Sequence, residues 1–279
     1  MKSLLRTFQS LSAHTLRVLT PCECHVCQRP LAHGFICRCC EPKIPAVIPN
    51  DTRCPVCYTV MLHKTELCNV CLSYPLPFRR MIYLWEYGDS VRDLICAMKY
   101  RPSRSLCHGV GAVMGEFISE LSINPDWNLI IPIPASRKTL TKRGFNQCAL
   151  LANSVSSSFP VPIEVSNELL IQSLTSDPRA GMDQKRRLRS RVSLKVTKPE
   201  LVLGANVLLI EDVITTGITA VSAGNAILNA GACSVDILAL ARAPSWQRLR
   251  ARVYKRCLLG QRTATNKVSS REGQIPFGR

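Results

Sequence analysis

Apolar residues along this chain fall into runs of two kinds. Residues 207–210, Val-Leu-Leu-Ile, and residues 129–134, Leu-Ile-Ile-Pro-Ile-Pro, are almost continuous; such runs predict strands buried on both faces of a parallel sheet. Met81-Ile82-Tyr83-Leu84-Trp85 reads as a third strand. Helical spacing appears between them. Val91, Leu94, Ile95 and Met98 share one face of a helix over 90–101 that Pro102 ends. A second helix over 106–121 carries Gly109, Gly111 and Gly115, which implies either close packing or weak propensity. A third follows Gln147, and a fourth over 220–229 stops at Ala230-Gly231. Strands alternating with helices predict an α/β fold with an open parallel sheet.

A chain of 279 residues with 46% hydrophobic content has room for one α/β domain plus a smaller module. Its first twenty residues bear Leu4, Leu5, Phe8, Leu11, Leu16 and Leu19, but Arg6, His14 and Arg17 interrupt them. The reading is a short amphipathic helix, with neither a signal peptide nor a membrane span, in a cytoplasmic protein. The net charge of +17 is uneven. Residues 244–279 hold nine Lys/Arg against Glu272, and residues 175–199 hold eight against Asp177 and Asp183. Such patches favour polyanions, or are simply a solvated tail and a basic loop; without interleaved aromatics they suggest no base-stacking platform.

Ten of the fifteen cysteines lie between Cys22 and Cys71. Eight form Cys-x-x-Cys pairs: Cys24/Cys27, Cys37/Cys40, Cys54/Cys57 and Cys68/Cys71. The second set repeats the first at an offset of 30 or 31 residues. Two knuckles supply four thiolates, so the spacing predicts a double zinc ribbon with structural zinc; whether the pairing is sequential or cross-braced stays open. Disulfides do not suit a reducing compartment, and four tandem pairs exceed what a redox site needs. Cys22 and Cys39 are left over, and His25, His33 and His63 read as surface residues. Pro75, Pro77 and Arg79-Arg80 mark a linker. The expected organisation is a helical segment over 1–20, zinc ribbons over 21–74, the α/β domain over 79–243 and a disordered basic tail over 244–279.

The chemistry-bearing stretch follows the 207–210 strand: Glu211, Asp212, Val213, Ile214, Thr215, Thr216, Gly217, Ile218 and Thr219. Loop N–H groups, threonine hydroxyls and a helix N-terminus suit a phosphate, and two adjacent carboxylates suit two neighbouring ribose hydroxyls. A strand-turn-helix with a threonine-rich cap would account for the same residues without chemistry. A Gly-x-x-x-x-Gly-Lys-Ser/Thr nucleotide loop does not occur. Strand, acidic pair and Thr-Thr-Gly-x-Thr together resemble the 5-phosphoribosyl pyrophosphate (PRPP) motif of type I phosphoribosyltransferases.

Beyond the 129–134 strand comes a basic loop with Arg137, Lys138, Lys142 and Arg143, then Gly144-Phe145-Asn146-Gln147. Ligands of open α/β sheets bind beyond strand carboxyl ends, so this loop and 211–219 face one crevice. The double four-cysteine module, Lys99-Tyr100-Arg101, Pro132-x-Pro134, Arg143-Gly144-Phe145-Asn146-Gln147 and the acidic motif, in this order, resemble the ComF family over about residues 22–243. That resemblance implies a type I phosphoribosyltransferase fold, PRPP bound with magnesium, and a part in the uptake or use of external DNA, with single-stranded DNA and uptake proteins as partners. It also implies that Glu211 and Asp212 hold the ribose and that Arg137 or Lys138 neutralises the pyrophosphate. One segment departs from the pattern: Thr175 and Arg186 or Arg187 are kept, but Arg179, Met182, Ser190 and Leu194 stand where the family has Gln, Leu, Asn and Phe. Two functions follow, a phosphoribosyltransferase or a non-catalytic DNA- or protein-binding adaptor with a sensory or vestigial PRPP site.

Overall fold

The structure, a computed structural model, describes residues 22–31, 34–44, 53–61, 66–100, 103–121, 126–173, 193–244 and 246. The expectations for residues 1–20, for most of the basic tail, and for Thr175, Arg179, Met182, Arg186, Arg187 and Ser190 lie outside the described residues.

Two short ladder strands, β1 (Cys22–Glu23) and β2 (Pro30–Leu31), and a short helix α1 (Asn69–Ser73) belong to the cysteine-rich part. Then follow β3 (Met81–Glu86), α2 (Asp89–Tyr100), α3 (Arg104–Glu120), β4 (Leu129–Pro132), α4 (Arg137–Arg143), α5 (Gln147–Ser156) and β5 (Glu164–Val165). A hairpin of β6 (Leu170–Ser173) and β7 (Ser193–Val196) leads to β8 (Asn206–Ile214), α6 (Ile218–Asn229) and β9 (Ser234–Arg242). The main sheet has the order β3-β9-β8-β4-β5, and every pairing in it is parallel.

Both faces of this sheet are covered, which is why its strands read as continuous apolar runs. Ile82, Leu84, Ile130, Leu208, Ile210, Leu238 and Leu240 pack with α2, α3 and α5 on one face. Met81, Tyr83, Ile131, Val207, Leu209, Ile237 and Ala239 pack on the other with α6, the β6–β7 hairpin and the cysteines 54, 57, 68 and 71. The second four-cysteine group is thus seated on the sheet. Leu194, one of the departing positions, is buried in that layer.

Two elements differ from expectation. The residues expected as a basic loop form α4, because the Ser136 hydroxyl accepts from Thr139 N–H at its start and Gly144, at φ +77°, ends it in the left-handed region. The expected linker at Arg79-Arg80 is an ion-pair centre. The Asp236 carboxylate, fully buried near the start of β9, accepts from Arg79 at 2.9 Å, Arg80 at 2.7 Å and the Trp127 indole at 2.7 Å. Arg79 also grips Asp126 with two hydrogen bonds. A buried carboxylate needs such partners, and here they tie the start of β3 to β9 and to the approach to β4.

The α3 glycines resolve in favour of close packing. A Cβ on Gly111 would stand 2.7 Å from Ser154 Cβ and 3.0 Å from the Leu151 carbonyl oxygen, atoms of α5 that cannot swing aside, and one on Gly115 would meet Ser158. Gly111→Ala should therefore destabilise the protein by about 1–3 kcal/mol through overpacking, against a helix-propensity gain of about 1 kcal/mol. A thermal or denaturant melt showing a stabilised variant would instead make weak propensity the meaning of that glycine.

Candidate functional site

The sheet divides where β4 ends. Pro132 opposite Ile210 is the last ladder pair, and Ile133 N–H still donates to Ile210 O at 2.9 Å. The Ile133 carbonyl, next on that edge, accepts from the Asn146 side chain and not from β8, so the ladder stops there; Pro132 and Pro134, without N–H groups, face the β5 edge, as the Ser166 N–H to Ile130 carbonyl bond shows. Meanwhile β8 continues along β9 to Ile214 opposite Arg242, so it runs through the acidic pair instead of stopping before it. From Glu211 onward β8 borders a crevice on its β4 side. The chain leaves β4 through α4 and α5 and leaves β8 through α6; α5 and α6 lie on opposite faces, which makes this gap the topological switch point of the sheet.

The Arg-Gly-Phe-Asn-Gln stretch builds one wall. Asn146 donates through Nδ2 to the Ile133 carbonyl at 3.0 Å and accepts the Cys148 N–H on Oδ1 at 3.1 Å, capping both the strand end and α5. The next residue, Gln147, donates through Nε2 to Asp212 Oδ2 at 2.9 Å, and Arg143 donates to the Gln147 side-chain Oε1 at 2.9 Å. Lys99, from the last turn of α2, reaches the same Asp212 oxygen at 2.8 Å. Asp212 Oδ1 accepts its neighbour's Val213 N–H at 2.7 Å. Beside Lys99, the exposed Tyr100 ring lies under Lys142 and Arg143, and Phe145 lies under Arg104.

Glu211 is different in kind. It is buried, and its Oε2 has no partner among the described residues. Burial, reinforced by the neighbouring Asp212 charge and partly offset by Lys99, pushes its carboxyl up to about 8. Burial first, then the same two carboxylates, also push the Cys148 thiol upward, so it stays a thiol.

The remaining motif residues form the other wall. Val213 packs toward the helical face and Ile214 into the opposite layer. Thr215 is exposed, and Ile218 N–H donates to Thr216 Oγ1 at 3.4 Å. Gly217 stands at the N-cap of α6 at φ +71°, a conformation that suits glycine, and offers no side-chain cap of its own, so only the long Thr216 contact engages the first turn. The first-turn N–H groups around Thr219 and the positive end of the dipole are therefore open to an anion. Behind Gly217 stands Trp246, buried although the sequence assigns it to the tail.

Of the sequence-predicted catalytic residues, Glu211 and Asp212 lie in the crevice. Arg137 and Lys138 are exposed in the first turn of α4 and form no ion pair among the described residues. Lys99 and Gln147, noted in the sequence only as parts of a resemblance, are the side chains that meet Asp212.

The cysteines gather as two sequential sets, Cys24, Cys27, Cys37, Cys40 and Cys54, Cys57, Cys68, Cys71, with their sulfurs within 4.8 Å of one another in each. Cys27 and Cys37 sulfurs are 3.6 Å apart, as are those of Cys57 and Cys68. Tetrahedral zinc with Zn–S bonds of ~2.3 Å sets such edges at about 3.8 Å, so four soft donors at this spacing fit the metal. Each repeat closes on itself, without cross-bracing. No disulfide is present among the described cysteines, and His25 joins neither set, while His33 and His63 lie outside the described residues.

Residues 146–270 match the family described as the phosphoribosyl transferase domain. The chain is 26% identical over 228 residues to the DNA utilization protein YhgH of Shigella flexneri, covering 80% of this chain and 97% of that protein. It is 26% identical over 215 residues to the competence protein ComFC of Bacillus subtilis, 74% of this chain and 84% of that protein. Competence protein F of Haemophilus influenzae matches at 23% over 218 residues, 76% of this chain and 93% of that protein. The parallel sheet flanked by helices is that of the type I phosphoribosyltransferase fold, and the chain is similar in sequence to proteins named for competence and DNA utilization.

Proposed function

We propose that the crevice between β4 and β8 binds PRPP with magnesium, and that the protein serves the uptake or use of external DNA. The observation that carries the ligand assignment is the meeting, at the switch point, of an acidic pair with a glycine-capped helix N-terminus and its Thr-Thr-Gly loop. The relatives named for competence and DNA utilization support the wider role.

The division of labour follows from charge. The loop over 215–219 takes the 5′-phosphate, with Thr215, Thr216 and the first N–H groups of α6 as donors. Glu211 and Asp212 take the two ribose hydroxyls. Departure of pyrophosphate from C1 of the sugar leaves positive charge there, which the two carboxylates stabilise. Magnesium accompanying the pyrophosphate supplies neutralisation of the leaving group, and hard oxygen donors such as this carboxylate pair suit it. Lys99 contacts Asp212 directly, whereas Arg137 and Lys138 are exposed in the first turn of α4, from where their charge would draw the polyanion in.

A second reading, an adaptor that senses PRPP without turning it over, is favoured by one observation. Asp212 is already engaged by Lys99 and Gln147, so ribose must share or displace those partners. Release of pyrophosphate on addition of nucleobases separates the two readings, since an adaptor binds PRPP and releases none.

Calorimetric titration with PRPP and magnesium should show one binding event that Asp212→Asn loses while its melting temperature changes little; equal affinity in the variant removes the acidic pair from the site. The affinity should also rise between pH 7 and 9, by up to about tenfold per pH unit below the Glu211 midpoint near 8, because the ionised carboxylate binds the sugar and the cation better. Without ligand the sign is reversed. The folded state keeps a proton that the unfolded chain releases, so Glu211 makes stability fall as pH rises from about 5 to 8, by at most about 1.4 kcal/mol per pH unit. Glu211→Gln should flatten both profiles, and an unchanged pair of profiles would assign the proton elsewhere.

A further inference from the structure

The second four-cysteine group is joined to the loop over 215–219 by a short chain of buried contacts. Arg242, 4% exposed at the end of β9, donates to the Cys57 carbonyl at 2.5 Å and to Thr59 Oγ1 at 3.0 Å. Its other nitrogen donates to the Tyr83 hydroxyl at 2.7 Å and meets Glu86 at 3.4 Å. The guanidinium also lies 4.0 Å from the Tyr83 ring centroid and 5.6 Å from that of Trp246. Trp246, 1% exposed, backs Gly217, whose absent Cβ would stand 3.6 Å from its ring. Arg242 is moreover the ladder partner of Ile214, the last strand residue before Thr215, and Ala243 N–H donates to Ile214 O at 2.9 Å. One residue therefore contacts the backbone of a metal knuckle and the indole that backs the loop through its side chain, and pairs through its backbone with the end of the strand that feeds the loop.

This arrangement has two mechanical consequences. Without metal the Cys54-x-x-Cys57 turn loses the ligation that fixes its carbonyls. The buried guanidinium then loses a hydrogen-bonding partner it needs, since an unpaired buried charge is costly. Displacement of Arg242 removes a neighbour from Trp246, the indole packed behind Gly217 in the loop. A loop already held in its binding conformation forfeits less ordering entropy when an anion arrives.

We propose that zinc in the Cys54, Cys57, Cys68, Cys71 site and PRPP in the crevice bind with positive coupling, transmitted by Arg242 and by Trp246 as the positioning residue of the 215–219 loop. The inference rests on the PRPP reading of the crevice. Coupling is reciprocal: if metal tightens PRPP, PRPP must tighten metal by the same factor. The other group, Cys24, Cys27, Cys37 and Cys40, has a different seat, with Phe35, Ile36 and Ile44 against the helical face, and serves as an internal reference.

The test is zinc loss from the full-length protein to a zinc-selective chromogenic chelator, with and without PRPP and magnesium, alongside calorimetric PRPP affinity. One of the two release phases should slow by about tenfold when PRPP is bound. Trp246→Ala should bring that factor to one and weaken PRPP by a similar amount, while Trp246→Phe, which keeps an aromatic ring behind Gly217, should retain most of it. Wild-type protein that binds PRPP with neither phase altered overturns the coupling; a response that survives in Trp246→Ala overturns the route. Absence of PRPP binding in the calorimeter overturns the underlying reading and the coupling with it, and is told apart from the first two outcomes by that titration.

Discussion

The site exists because β4 cannot be extended. A parallel sheet left to its hydrogen bonds would close the gap between β4 and β8 along their full length. The last β4 group on that edge, the Ile133 carbonyl, is taken by the Asn146 amide instead of by a β8 N–H, so β8 has a partner only on its β9 side from Glu211 onward. Everything functional is arranged around the edge that this leaves. Glu211 and Asp212 border it, the Thr-Thr-Gly loop extends from it, and Gln147 and Lys99 reach Asp212 from α5 and α2.

Buried charge does most of the joining in this molecule. Asp236 gathers Arg79, Arg80 and Trp127 at the amino end of the sheet, and Arg242 gathers Tyr83, Glu86, Cys57 and Thr59 at the other end of the same strand. Such ions contribute little net stability compared with apolar packing, but removing one partner costs about 3–5 kcal/mol because the other is stranded. They therefore favour one arrangement of the cysteine-rich part on the sheet over competing ones. A module with a small apolar core of its own acquires a fixed place by sharing hydrogen bonds with the larger domain.

Much of this was readable from residue order. Continuous apolar runs gave the buried strands, 3.6-residue periodicity gave α2, a helix-like run with its stop at Ala230-Gly231 gave α6, and the Cys-x-x-Cys spacing gave two four-thiol groups, because each of these signals is local. What escaped was non-local or was hidden by composition. Arg79 and Arg80 looked like a polar linker because their partner Asp236 is over 150 residues away. The 137–143 segment looked like a loop because its charges outweighed a serine cap and a terminal glycine in the reading. Trp246 looked like part of a basic tail, since nothing in its neighbours signals a pocket behind Gly217. Lys99 at the end of a helix carried no mark of its meeting with Asp212, which depends on how α2 returns over the sheet.

Asn146 bears a consequence of another sort. Its amide nitrogen satisfies a carbonyl on β4 and its amide oxygen satisfies an N–H on α5, two backbone groups of opposite polarity from segments 15 residues apart in sequence. Aspartate would supply the oxygen but set a second acceptor against the Ile133 carbonyl, serine is too short to span both groups, and glutamine adds a methylene that moves the fork out of register. Only one of the twenty side chains carries both functions at this length. The asparagine is thus an architectural necessity even if the crevice were never to hold a ligand, and its occurrence before Gln147 testifies to a strand end meeting a helix start, independently of any chemistry performed there.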